Sequence, residues 1–284
     1  MAILLLNPGQ MGAALGAALA TRHDTLWVAQ GRGASSRARA ETGGLREVAT
    51  LARGLQQADI VFSVVPPASA QDTAAAVARH GYQGVYVDAN AVSPATGQAV
   101  ARTVQAVGAR AVDGGIIGPP PQQRGDTRLY LSGPGAAGVA ALLEGALFEA
   151  IVLNEEAGST AASALKMAYA GWTKASSALL LNVRALARAA GVEQALLDEW
   201  AISMPDLPQR SERSATANAH KAWRFVGEMH EIADTMASQE GLPEEFHRAA
   251  AALWERLAAF KDDMEAEPAA VFEQLAGGGD AGSS

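Results

Sequence analysis

The sequence predicts an α/β domain followed by an all-α domain, because its texture changes halfway along the chain. Up to about residue 154, short apolar runs alternate with helical patterns, and beyond that point the strand signals stop. Ser159–Ala190 then runs 32 residues with Gly171 as its single Gly and no Pro. In order, the apolar runs are Ala2–Leu6, Thr25–Ala29, Asp59–Val65, Gly84–Asp88, Ala109–Asp113, Arg128–Ser132 and Glu149–Leu153. Runs of that length fit strands buried on both faces, as in a parallel sheet flanked by helices. Their alternation with helical stretches reads as repeated βαβ units. Ser159–Ala190 predicts one helix of about 48 Å at 1.5 Å per residue, ended by Gly191 at C′. Further helices are expected at Val192–Ile202, Ser211–Ser238, Pro243–Lys261 and Pro268–Leu275, with Pro243 and Pro268 in first turns. The Gly/Ser-rich tail 277–284 is expected to be disordered. The predicted organisation is therefore an α/β domain over 1–155, an all-helical domain over 156–276, and the tail.

Composition narrows the chemistry. The chain of 284 residues has no Cys, which excludes disulfide scaffolds, iron–sulfur clusters, thiolate zinc sites and cysteine nucleophiles. Its 64 alanines favour closely packed helices. A net charge of −8 argues against nucleic acid or an anionic membrane as partner. Met1–Leu6 lacks a basic segment before it, and no run of about 18 apolar residues follows, so a cytoplasmic protein is expected. No H-E-x-x-H or comparable ligand spacing occurs, and no metal is expected.

The first chemical motif is the turn after the first strand, Asn7-Pro8-Gly9-Gln10-Met11-Gly12. Gly9 and Gly12 stand at the second and third glycine places of a G-x-G-x-x-G dinucleotide fingerprint, with Asn7 at the first. A side chain at position 9 would block backbone approach to a pyrophosphate, and a bare position 12 lets the helix lie against the strand. The free N–H groups of that helix favour a dianion. Asn7 is acceptable at the first place because Asn visits positive φ readily. After the second strand, Gln30-Gly-Arg32-Gly-Ala-Ser35-Ser36-Arg37 contains no carboxylate. An NAD site places Asp or Glu there for the ribose 2′-hydroxyl, whereas Arg32, Ser35 and Arg37 suit a 2′-phosphate, since guanidinium pairs bidentately with phosphate oxygens. The expected cofactor is NADP.

Motifs in fixed order extend this reading. Asn7-Pro-Gly-Gln-Met-Gly12 is followed by Ser63-Val-Val65-Pro66-Pro after a middle strand, then by Val87-Asp-Ala-Asn90-Ala-Val-Ser93-Pro. Next come Val112-Asp-Gly-Gly115-Ile-Ile117-Gly118 and Gly158-Ser-Thr-Ala-Ala-Ser-Ala-Leu-Lys166-Met. In these segments the chain resembles the β-hydroxyacid dehydrogenase superfamily, which includes 3-hydroxyisobutyrate and 6-phosphogluconate dehydrogenases. The later half resembles a subgroup with a phosphogluconate dehydrogenase C-terminal-like domain. The resemblance implies a Rossmann domain, a long interdomain helix and a homodimer. It also implies a helix lysine, matched by Lys166, that exchanges the substrate hydroxyl proton while hydride moves to or from the nicotinamide. Independently, Lys166 is the one charge between Glu156 and Lys174, so an alanine-lined helix would desolvate it and depress its pKa towards working pH. The resemblance places Val65, Pro66 and Asn90 at the cofactor, and Asn90, Ser93, Gly115, Ile117 and Gly118 at the substrate. Thr173, seven residues after Lys166 and two turns along nearly the same helix face, is a further substrate candidate, with helix packing or solvent exposure as the alternative.

The sequence also departs from that pattern. Ala170 stands where the family has an Asn four residues after the lysine, Thr160 and Ala162 replace glycines before it, and Ile117-Gly118-Pro119 replaces a carboxylate-holding Ser-Gly-Gly. The Lys-x-x-His-Asn pattern of 6-phosphogluconate dehydrogenase is absent. The expected function is an NADP-preferring oxidoreductase interconverting a hydroxy compound, in the first instance a hydroxy acid, and its carbonyl. The alternatives are an imine reductase on the same scaffold, or a catalytically inactive NADPH-binding sensor.

Overall fold

Strand β1 (Ala2–Leu5) buries both its faces: Ile3 and Leu5 enter one apolar cluster and Leu4 the other. That two-sided burial is why its sequence reads as a continuous apolar run and not as an alternation. The computed structural model describes residues 1–277; of the expected tail 277–284, Gly277 closes the last helix and the rest lies outside the described residues. After β1 come α1 (Gln10–Ala20), β2 (Asp24–Val28), α2 (Ala34–Thr42), β3 (Arg46–Val48), α3 (Leu51–Leu55), β4 (Ile60–Ser63), α4 (Ala70–Arg79), β5 (Val85–Asp88) and α5 (Pro94–Gln105). Then follow β6 (Arg110–Ile117), β7 (Thr127–Ser132), α6 (Ala136–Ala141), β8 (Phe148–Asn154) and the long α7 (Ala161–Ala189).

The eight strands form one sheet in the order β3-β2-β1-β4-β5-β6-β7-β8. Neighbours run parallel except β6 and β7, which are antiparallel. Building outward from β1 one way and from β4 the other creates a switch point at their carboxyl ends, where open α/β sheets bind ligands. One face packs Leu15 and Leu19 of α1 and Val139 of α6 against Ile3, Leu5, Phe62 and Leu131. The other packs Val77 of α4 and Val100 and Val104 of α5 against Leu4, Val61 and Tyr86. This is the Rossmann-type domain that the alternating runs predict. Two details differ from that reading. The three-residue β3 escaped it because Val48 is its single buried residue, too little for a periodic signal. The parallel reading of every strand fails at β7, because Gly118–Asp126 is a hairpin loop holding no helix that could cross over.

The chain divides into two compact units, Met1–Met167 and the part from Ala168 onward. The second is all-helical: after α7 come α8 (Glu193–Ser203), α9 (Leu207–Ala219), α10 (Ala222–Ala237), α11 (Glu245–Glu255) and α12 (Pro268–Gly277). Its interior holds Phe225 and Trp254 edge to face at 5.2 Å, with Met229 and Ile232 buried beside α11. Gly191, at φ +70°, ends α7 as expected, and the Val192 N–H bonds back to Ala187. The single helix expected over Ser211–Ser238 is two. The chain leaves helical geometry at Lys221 (φ −122°), and the His220 carbonyl accepts from the Asp262 N–H at 2.9 Å. Pro268 lies in the first turn of α12, but Pro243 precedes α11, which begins at Glu245. Among the described residues no helix is long and apolar enough to cross a membrane.

Candidate functional site

The turn from β1 to α1 lies at the switch point. Gly9 enters α1 in extended geometry (φ −64°, ψ −177°) without a side-chain cap, and no acidic residue occupies the first turn. The helix therefore presents first-turn N–H groups and the positive end of its dipole with no side-chain acceptor from its own cap. A Cβ on Gly12 would lie 2.1 Å from the Asn7 carbonyl oxygen, so that position admits only glycine. A Cβ on Gly9 would meet nothing nearer than the Asn7 amide at 3.6 Å. Packing within the chain therefore leaves position 9 free, and the backbone there stays open to close approach. Pro8 is buried under the turn, while Gln10 is exposed and Met11 half-buried beside it.

Asn7 serves for a different reason than its tolerance of positive φ. Asp262 is the one described non-glycine residue in that region, and the Asn7 amide instead donates to the Val64 carbonyl at 3.4 Å. That bond ties the β1 turn to the segment leaving β4. The Val65 N–H in that segment donates to Asn90 Oδ1 at 2.6 Å, and Pro66 is exposed next to it. The Asn90 amide nitrogen donates to Ser63 Oγ at 3.0 Å and to Asp88 Oδ1. With 2% of its surface exposed, Asn90 is spent inside the sheet, stapling the ends of β4 and β5. Ser93 is equally buried and caps α5, its Oγ accepting from the Thr96 N–H at 3.2 Å.

Beyond β2, Arg32 donates to the Leu6 carbonyl at 3.3 Å. Ser35 is exposed at the start of α2. Arg37 is paired with Glu47 of β3 at 2.6 Å, both side chains about half exposed (50% and 49%). A carboxylate therefore does stand here, delivered by the strand the sequence pattern missed. Arg39, which the motif reading passed over, donates to the Pro8 carbonyl at 3.0 Å and to Ser36 Oγ at 3.3 Å. It thus spans α2 and the β1 turn. An open cleft of about 520 Å³ lies here, lined by Gln30, Arg32, Arg37 and Glu47 among others.

At the carboxyl end of β6, glycine again sets the approach. A Cβ on Gly115 would lie 2.6 Å from the Ala162 carbonyl oxygen and 3.2 Å from Lys166 Cβ. The bare strand lets the first turns of α7 lie directly on it, and the half-buried Lys166 ammonium donates to the Ile116 carbonyl at 2.8 Å. Ile117 is buried. Gly118, at φ +125°, closes the hairpin where a Cβ would fall 2.2 Å from the Asp126 carbonyl.

The start of α7 is held by a buried group that carried no assigned role in the sequence reading. Asp113 accepts from Ser132 Oγ at 2.8 Å, from the Ser163 N–H at 3.0 Å and from the Ser163 hydroxyl. The Ala162 N–H donates to Ser132 Oγ at 3.1 Å. Burial pushes the Asp113 carboxyl above its ordinary range, outweighing the bonds from Ser163 and Ser132 that pull it down. The available signal was an Asp inside an apolar strand, which is seldom buried without partners.

Thr173, in the second unit, donates to its own helix at Tyr169 and Ala170 (3.2 and 3.4 Å). Lys174 pairs with Glu228 at 2.7 Å. Among the described residues no group of three His, Asp or Glu could hold a metal ion.

Residues 4–142 match the model of the NAD binding domain of 6-phosphogluconate dehydrogenase. Residues 187–257 match a domain of unknown function, DUF1932. No curated protein matches the chain. Among solved structures, a conserved hypothetical protein from Sinorhizobium meliloti is 26% identical, with 97% of this chain and 96% of that one covered and a TM-score of 0.68. A 3-hydroxyisobutyrate dehydrogenase from Mycobacterium tuberculosis, solved with L-serine, shares the fold at 17% identity, with 96% and 98% covered and a TM-score of 0.69. A reductive aminase from Aspergillus terreus in complex with an NADPH form, cyclohexanone and allyl amine shares it at 19% identity, with 95% and 98% covered and a TM-score of 0.56.

Proposed function

The chain joins an NAD-binding domain of the 6-phosphogluconate dehydrogenase family to a DUF1932 domain, and from that premise we propose an NADP-preferring oxidoreductase. It interconverts a hydroxy compound, in the first instance a hydroxy acid, and its carbonyl. The observation that carries this reading is the shared edge of one sheet. The uncapped turn after β1 and the Lys166 ammonium on Ile116 both lie at the carboxyl ends of mutually parallel strands.

The turn residues Asn7–Gly12 fit a pyrophosphate, and Arg32 and Arg39 fit the extra phosphate that distinguishes NADP. Arg37, neutralised by Glu47, has the lesser part. The bound cofactor supplies hydride exchange at its nicotinamide ring. Lys166 holds or releases the matching proton at Nζ, with the Ile116 carbonyl fixing where that nitrogen sits. Asn90 and Ser93 position the site through the backbone they brace. Gly115 and the backbone through Ile117 and Gly118 form the strand against which the substrate lies.

A homodimer is part of the same proposal. In the second unit, α7 leaves Tyr169, Trp172, Leu179 and Leu186 exposed, Trp172 by 69% and Leu186 by 68%. Their spacing of three and seven residues makes one apolar stripe on the helix.

Imine reduction is the second reading, supported by the fold shared with the reductive aminase and by Ala170 in place of the family's Asn. A panel of carbonyls and imines with NADPH separates the two. Carbonyl turnover lost in Lys166→Ala at nearly unchanged NADPH affinity is the expected result. Turnover of imines alone favours the second reading, and surviving carbonyl turnover in the variant refutes the role of Lys166. Tight NADPH binding with no turnover of any substrate leaves the chain as a sensor.

A further inference from the structure

Around the turn between α9 and α10, the helical unit gathers hydrogen-bond donors without matching acceptors. Lys221 is half-buried there, and Lys174 and Arg224 both act on it as like charges. Its ammonium makes no hydrogen bond or ion pair with any described residue. Trp223 Nε1 is buried and likewise has no acceptor. Arg224 and Lys261 approach the Trp223 ring at 5.0 and 4.6 Å, contacts that leave their N–H groups available. Lys174 lies 5.1 Å from the Phe225 ring centre and takes Glu228 at 2.7 Å. Glu228 thus answers Lys174 alone, and among the described residues no carboxylate pairs with Lys221, Arg224 or Lys261.

Gathering like charges and a buried indole N–H costs free energy unless an acceptor joins them. We infer that Lys221, Arg224 and the Trp223 indole N–H form an oxyanion-binding site in the helical domain, selective for a carboxylate or phosphate group. All three supply donors only, the complement of an oxyanion. Burial lowers the Lys221 pKa, with Lys174 and Arg224 adding to the effect, and an anion beside it would act in the opposite direction, favouring the charged form. The inference does not depend on the nucleotide site, which uses residues of the other unit.

The Trp223 indole N–H provides a reporter within the site, and its proton–nitrogen NMR resonance is assigned by comparison with Trp223→Phe. Inorganic phosphate and acetate are titrated separately into the full chain at fixed ionic strength. A saturable shift of that resonance is expected. A response to phosphate alone assigns the site to phosphate groups, and one to acetate alone assigns it to carboxylates. Lys221→Met should weaken the response at least tenfold. Lys221→Arg should keep it, and Arg79→Gln, an exposed basic residue elsewhere, should leave it unchanged. The other indole resonances report whether each variant is folded; if Lys221→Met is not, the exposed Arg224→Gln takes its place with the same expected loss. Absence of a saturable shift with either anion, or an undiminished response in the folded variant, overturns the site.

Discussion

Arg37 and Arg39 are two residues apart on α2, and their partners give them opposite prospects. Arg37 occupies the place expected of a 2′-phosphate ligand, yet Glu47 balances its charge. Arg39 leans over the β1 turn on the Pro8 carbonyl, a neutral acceptor that a phosphate can readily outcompete. Arg39→Gln should therefore weaken NADPH binding by about 10–100-fold, the equivalent of one or two charge-assisted hydrogen bonds. NADH binding should barely change, and Arg37→Gln should have the smaller effect on NADPH. Fluorescence titration checks the order, and an equal loss for both cofactors in Arg39→Gln excludes it as a phosphate ligand. Asp113 gives a prediction in pH. Its carboxyl is held above its ordinary value of 3.8 by burial, so over the interval above 3.8 the folded chain keeps a proton that the unfolded chain has released. Stability then falls as pH rises through that interval, and the penalty persists at higher pH. Asp113→Asn removes this component. Denaturant unfolding should show the variant gaining on the wild type as pH rises from about 4, and a pH-independent difference would contradict the assignment.

At the scale of elements, the contact of α7 with β6 sets the position of Lys166. A methyl at Gly115 must displace the Ala162 carbonyl, only 2.6 Å away, so Gly115→Ala should cost about 1–3 kcal/mol of stability. It should also lower kcat by up to about 100-fold by shifting Lys166. A variant that melts like the wild type and keeps full turnover would show that the approach is not required. Most elements were legible in the sequence because buried strands and long helices carry strong apolar signals. What was not legible depended on distant partners or weak signals. The break at His220–Lys221 involves the Asp262 N–H from another segment. The reversal between β6 and β7 cannot be read from an apolar run, which looks the same in either direction. Its available clue was the Pro- and Gly-containing stretch Gly118–Gly125, too short for a crossover helix.

At the scale of the whole molecule, the order of motifs singled out the glycine turn after β1, Lys166 and the glycines of β6 before any coordinates. Pairings between elements were invisible: Arg37 with Glu47, Asp113 with Ser132 and Ser163, Asn90 with Ser63 and Val65. Each joins residues well separated in sequence; those of Arg37 and Asn90 change the roles that the motifs assign, and that of Asp113 gives a place to a residue the motifs left without one. The exposed stripe on α7 carries the prediction for assembly. Leu179→Asp combined with Leu186→Asp should convert a dimer to a monomer in light scattering, while a monomeric wild type would remove the dimer from the account. The nucleotide preference is tested most directly by titrating the purified chain with NADPH and NADH in parallel. Saturable binding with NADPH at least tenfold tighter is the predicted result. Equal affinity for the two, or saturation with neither, would contradict it.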